Sequence, residues 1–172
     1  MCQKKINDGY QINFELIRNF DSFMIENVLV SPIPVPHDAR EPCQFRFDCQ
    51  DKSIAIITDL GKITKHVVEK LSKVNLLVLE FNHDEKMLNS SDYPDSLKKR
   101  INGHYGHLEN KESLKLLESI NHLDLQWVIA AHLSEKNNHI DLVKKMIFEI
   151  VDKKNSNVGI IDQELGLEWV ST

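Results

Sequence analysis

The chain has 172 residues, 41 % hydrophobic and 27 % charged, with six glycines and five prolines. A chain of this size and mix hides most of the surface its unfolded form exposes, so a single soluble globular domain is expected. Disordered, collagen-like and disulfide-scaffold classes are excluded. A formal charge of −5 gives no global basic field, so any nucleic acid must meet a local patch.

The opening MCQKKINDGYQ carries two lysines with no apolar run behind them, which reads as neither signal peptide nor anchor. No stretch approaches the roughly 18 apolar residues of a membrane span. Cys2, Cys43 and Cys49 are odd in number and lack paired metal-type spacing, so free thiols in a reducing compartment, hence a cytoplasmic location, are expected. Residues 12 to 30, INFELIRNF and then FMIENVLVS, read as two or three antiparallel strands, with Asn19-Phe20-Asp21-Ser22 as a turn. PIPVPHDAREP holds four prolines, which exclude a helix interior and a central strand and put His37 and Asp38 on a stiffened loop or an edge. QFRFDC and KSIAIITD resume strand character, the second stopping at Thr58-Asp59.

From there the texture changes. Apolar residues at 67, 68, 71 and 74 follow helical spacing, and NLLVLEF after them reads as a buried strand. Helices are expected over 84–90, over 94–102 with Pro94 in the first turn, and over 111–121 behind an Asn110 N-cap, with Glu112 at the positive end. QWVIAAH is the next strand. IDLVKKMIFEIVDKK, capped by Asn138, is the longest helix, and short strands near 157–162 and 167–170 finish the chain. Strands first and α/β alternation later make one layered α/β domain without internal repeats.

Three apolar strands end in polar, metal-capable residues: Thr58-Asp59, Glu80-Phe81-Asn82-His83-Asp84, and Ala131-His132. Carboxyl ends of neighbouring parallel strands open onto a shared crevice, so these ends are candidates for one site. Singly, an Asp after a strand is a turn former and a His a hydrogen-bonded surface group. Together with His37, an aspartate and two histidines suit zinc, manganese or iron better than calcium or magnesium. NGHYGHLEN brings His104 and His107 together in a glycine-rich turn before a helix, where anion binding competes with metal binding. His66 and His122 read as structural or surface residues, and His139 as a first-turn residue. Lys98, Lys99 and Arg100 beside Tyr105 form a short basic run that is either a solvated face or a grip on a phosphodiester backbone. No G-x-S-x-G elbow, phosphate loop or dinucleotide fingerprint is present.

The blocks HDAREPCQFRF, ITDLGKIT, LVLEFNHDEKML, YPDSLKKRINGHYGHLEN, AAHLSEKNN and DQELGLEW occur in this order, and over about residues 28–170 they resemble metallo-β-lactamase-fold proteins of the YycJ/WalJ type. The resemblance implies an αββα sandwich with a two-metal hydrolytic centre, zinc or manganese, acting as an exonuclease on DNA phosphodiesters. By position it makes His37, Asp59 and His132 metal ligands, with Asp59 bridging both ions and Asp59 and His132 catalytic. His107, Ser134, Asn137 and Asn138 match blocks with substrate-contacting or ligand-supporting roles, Lys98 and Arg100 are candidate backbone contacts, and His83 and Asp84 match a block without an assigned role.

Family members also carry an H-x-H-x-D-H block that supplies most ligands of both metals, and these 172 residues contain none. The expectation is therefore the C-terminal part of the fold, unable to hold two ions or to hydrolyse substrate alone. The N-terminal half would come from another chain, or the exposed sheet would pair in a homodimer. The alternatives are a non-catalytic interaction module and another phosphodiester or ester hydrolase of the same superfamily.

Overall fold

The computed structural model describes residues 2–5, 11–14, 16–17, 20–151, 156–161 and 166–172. Strands β1 (Cys2–Lys5) and β2 (Gln11–Phe14) form a two-stranded antiparallel sheet. The main sheet holds β3 (Phe23–Ile25), β4 (Val28–Pro34), β5 (Cys43–Cys49), β6 (Lys52–Ile57), β7 (Leu76–Glu80), β8 (Trp127–Ala131) and β9 (Asn157–Ile160), in that order. Pairing is antiparallel from β3 to β6 and parallel from β6 to β9. The switch follows from the connections: two short turns and the loop 35–42 join β3 to β6, and helices intervene between the later strands.

The prolines sit where the ladder can spare them. β3 begins opposite Val30, so Pro32 and Pro34 pair with β5 alone, and their missing N–H groups face the open side. His37 and Asp38 lie on the following loop, as the proline density predicts. Cys43 and Cys49, at the two ends of β5, are free thiols; the side chain of Cys2 lies outside the described residues.

Helices α1 (Lys65–Leu71), α2 (Glu85–Ser90), α3 (Asp95–Ile101), α4 (Asn110–Ile120) and α5 (Ile140–Ile150) supply the helical layer. Val67 and Leu71 of α1, Leu116, Leu117 and Ile120 of α4, and Val143 and Ile147 of α5 pack onto Ala55, Ile57, Leu77, Leu79, Val128 and Ala130 of the central strands. The opposite face carries Phe45, Phe47, Ile54, Ile56 and Val78 in adjacent register. Those five side chains are only partly covered, Ile56 being 37 % exposed. One sheet and one helical layer are thus the half-sandwich anticipated from the sequence. Among the described residues no helix is long and apolar enough to cross a membrane.

Three local expectations are corrected. α4 begins at Asn110 with Glu109 as N-cap, because the Asn110 side chain is engaged with Asn138. The N-cap of α5 is His139, whose Nδ1 accepts from the Asp141 N–H, because Asn138 is buried and committed to the Phe81 carbonyl. Residues 167–170 form no strand; this tail lies against the sheet, with Leu167 over Gly159 and the Ser171 carbonyl accepting from Trp127 Nε1. Asn19 of the anticipated 19–22 turn lies outside the described residues.

Gly61 ties two loops to the end of β6. Its N–H donates to the Pro36 carbonyl at 2.8 Å, and a Cβ there would stand 2.5 Å from the His104 carbonyl oxygen. Gly61→Ala should therefore push the 104–106 loop away and lower stability by about 1–3 kcal/mol, read as a drop in the denaturant midpoint at unchanged slope.

Candidate metal centre

β6, β7 and β8 run parallel side by side, so their carboxyl ends reach one edge of the sheet. Asp59 follows β6, Glu80 closes β7 and His132 follows β8. His107 arrives from the loop between α3 and α4. Ligand-capable atoms of these four groups lie within 4.8 Å of one another.

Glu80 organises the cluster. It is fully buried, and its Oε1 accepts from His132 Nδ1 at 2.7 Å, His107 Nδ1 at 2.9 Å and the Asp59 N–H at 3.3 Å. Its Oε2 accepts from the N–H groups of Leu60 at 3.0 Å and Leu108 at 3.1 Å. Burial pushes the carboxyl up, but hydrogen bonds from His107 and His132 outweigh burial and bring it down to about 2. The bond to Glu80 in turn raises His132 above its ordinary value, against the opposing effect of burial. With Nδ1 held by Glu80, each imidazole keeps Nε2 as its remaining coordinating atom.

Asp59 and His132 both occupy the left-handed region, at φ 54° and 58°. Aspartate and histidine are among the few non-glycine residues that tolerate it. Glu80, which closes β7, and Asn82, two residues beyond it, secure both turns. Glu80 accepts from the amides at 59 and 60, while Asn82 Nδ2 donates to the His132 carbonyl and the Asn82 carbonyl accepts from the Ser134 N–H.

His37 extends the row. Its Nδ1 lies 3.0 Å from the Gly106 carbonyl oxygen and its Nε2 3.6 Å from Asp59 Oδ1; the rings of His37, His107 and His132 follow at 5.1 Å spacings. The three residues expected as ligands, His37, Asp59 and His132, are therefore brought together, joined by His107. Glu80 was missed as the organiser, although a lone carboxylate closing the apolar run NLLVLE is a usable signal, since a buried charge must find donors.

The other sequence candidates divide. Asn138 is structural: its Nδ2 donates to the Phe81 carbonyl and to Asn110 Oδ1, and its Oδ1 accepts from Asn110 Nδ2 and the His139 N–H. Asn137 is buried, with its N–H on Ser134 Oγ. Ser134 lines a cavity of about 460 Å³ that also borders His107, His132 and Arg100. Arg100 Nε is 2.5 Å from Asp38 Oδ2 and holds that carboxyl below its ordinary value. Lys98 reaches the Asn89 carbonyl instead. His83 is fully buried and Asp84 caps α2 through the Lys86 and Met87 N–H groups, giving both structural roles. His104 borders a separate cavity of about 290 Å³. His122 Nε2 lies 3.0 Å from the Val74 carbonyl oxygen, a structural contact.

Comparison with known proteins shows the family and the fold. Residues 3–132 match the family described as beta-lactamase superfamily domain. Exodeoxyribonuclease YycJ of Bacillus anthracis is 30 % identical over 133 residues, covering 77 % of this chain and 50 % of the relative. Exodeoxyribonuclease WalJ of Streptococcus pneumoniae is 27 % identical over 158 residues, covering 91 % of this chain and 57 % of the relative. The chain thus spans about half the length of the curated relatives it matches, a share that fits the C-terminal part of the fold. The metallo-beta-lactamase fold protein YhfI of Bacillus subtilis superposes with a TM-score of 0.64 at 12 % identity, covering 90 % of this chain and 54 % of that one.

Glu80, lowered from 4.5, contributes stability that is fully present above about pH 4.5 and is lost as pH falls through about 2. His132, raised from 6.5, contributes stability that is fully present below pH 6.5 and is lost as pH rises through its folded value. Metal-free protein should accordingly be most stable between pH 4.5 and 6.5 in denaturant titrations across pH. Glu80→Gln should flatten both flanks and lower the maximum by about 3–5 kcal/mol, the cost of breaking a buried charged network.

Proposed function

The chain belongs to the beta-lactamase superfamily, and from that membership we propose that it is part of a metal-dependent hydrolase whose substrate is a DNA phosphodiester, cleaved exonucleolytically. The observation that carries the reading is the cluster of Asp59, His107 and His132 around the buried Glu80, with His37 beside it. Two curated relatives bearing exodeoxyribonuclease names support the substrate class.

The donor set fits a transition-metal ion. Both oxygens of Glu80 are taken by N–H groups, which leaves it to orient imidazoles, an arrangement familiar around metal-bound histidines. Asp59 and the imidazoles of His37, His107 and His132 are the groups available to hold an ion, and mixed nitrogen and oxygen donors suit zinc or manganese. Bound there, the metal would supply a water ionised near neutral pH and neutralise charge on the phosphodiester. The residues of this chain keep the imidazole tautomers fixed, aim the carboxylate of Asp59 and line the substrate cavity.

Few donors remain for a second ion, so in this reading the chain alone hydrolyses little or nothing. Further polypeptide of the same fold would cover the face bearing Phe45, Phe47, Ile54, Ile56 and Val78 and complete the ligand set. That open apolar face is also the observation favouring the second reading, a non-catalytic interaction module, since sheet surface of this kind requires a cover.

Calorimetric titration of the isolated chain with zinc or manganese separates the two. The hydrolase reading expects an ion to bind, with affinity falling at least tenfold, at the lower end of the effect of losing a supporting group, in Asp59→Asn and His132→Ala of unchanged circular dichroism. Nucleotide release from duplex DNA is expected only after the complementing half is added. A chain that takes up no metal, and stays inactive when complemented, would be the interaction module.

A further inference from the structure

We propose that the cavity beside the metal cluster is a phosphate seat for the nucleotide flanking the scissile bond, with Lys136 as its cationic contact and Tyr93 as the residue that positions Lys136. The inference rests on the phosphodiester reading above and adds two residues that neither the sequence motifs nor the cluster geometry had singled out.

The cavity, of about 460 Å³, is within the roughly 300–1,000 Å³ range of small-molecule sites, and it opens directly against His107 and His132. Leu97, Ile101, Leu133 and the Tyr93 ring give it an apolar wall suited to a sugar and base. The polar wall holds Ser134, the exposed Glu135 and Lys136 on the turn that follows His132, with Asn82 and the Asp38–Arg100 ion pair beside them.

Of the cations near this site, two are already committed: Arg100 is paired with Asp38, and Lys98 is drawn to the Asn89 carbonyl. Lys136 differs. Among the described residues no carboxylate lies within 4.0 Å of its ammonium, which instead stands 5.6 Å from the centroid of the Tyr93 ring. A cation–π contact fixes the position of an ammonium without cancelling its charge, so the group stays available to an anion. Ser134 Oγ accepts from the Asn137 N–H at 3.2 Å, which leaves its own hydroxyl proton to donate. A hydroxyl donor and an uncancelled ammonium on one turn, two and four residues beyond His132, suit a phosphate oxygen next to the bond being broken.

The test uses the full chain in EDTA, so that binding is read without turnover. The probes are a fluorescein-labelled octathymidylate, followed by anisotropy over a salt series, and thymidine monophosphate, followed by ligand-detected NMR. Lys136→Gln should bind the octamer roughly tenfold more weakly, the effect of losing one charged hydrogen bond. Its slope of log affinity against log salt should be shallower by about 0.7, one single-strand phosphate contact. Lys136→Arg should restore both. Tyr93→Phe should bind as wild type, while Tyr93→Leu should lose affinity and slope together, which a merely structural contact would not produce. Wild-type affinity and slope in Lys136→Gln would overturn the seat and leave the DNA reading standing. Thymidine monophosphate bound by wild type and lost in Lys136→Gln, with no octamer binding, would support the seat and remove the DNA reading. Neither probe bound by wild type would overturn both.

Discussion

The carboxylate of Glu80 has no exposure to water and five N–H donors around it, and most of the site follows from that arrangement. An isolated charge in that position would cost several kcal/mol. Compensation requires the turn after β6, the loop before α4 and the strand end of β8 to be where they are, because each supplies at least one donor. The same bonds that make the buried charge tolerable aim two imidazoles and hold the backbone of Asp59. Stability and site geometry are therefore one constraint.

Asparagines extend that constraint outward. Asn82 grips the His132 turn from the segment after β7, and the reciprocal pair Asn110–Asn138 locks the start of α4 to the approach of α5. Asn138 also reaches the Phe81 carbonyl, joining that pair to the strand that carries Glu80. Amides suit this work because each offers donors and an acceptor at once, so buried loop backbone can be satisfied without adding charge. The result is a hydrogen-bonded rim on which Ser134 and Lys136 lie beside the cluster.

The sheet is asymmetric. Its helix-covered face forms the buried core, whereas Phe45, Phe47, Ile54, Ile56 and Val78 on the other face are incompletely covered. The cluster lies at the carboxyl edge of this half-covered sheet, so a second layer would meet the apolar face and the metal donors together. Family membership and a span of about half the length of the relatives accord with that arrangement.

Strand and helix types, their order, and the polar ends after β6, β7 and β8 are legible in the sequence, since alternation, helical spacing and β-branched runs are local properties. The proline-rich loop carrying His37 is legible for the same reason. The last anticipated strand failed because tail residues 167–170 pack as irregular chain over Gly159, a contact that local pattern does not encode. Cap positions shifted by one residue where Asn110 and Asn138 found each other across 28 residues. Asp59, Glu80 and His132 all stood out as polar strand ends, but nothing local marked Glu80 as the buried charge that organises the others. The basic run 98–100 drew notice by charge, yet Arg100 is neutralised by Asp38, 62 residues away, while the unremarkable Lys136 is left uncommitted. What the sequence alone determined, then, was the kind of domain and the residue types able to do metal chemistry. Which of them meet was decided by tertiary structure, because the parallel register of β6, β7 and β8 and the burial of one carboxylate bring together residues 59, 80, 107 and 132.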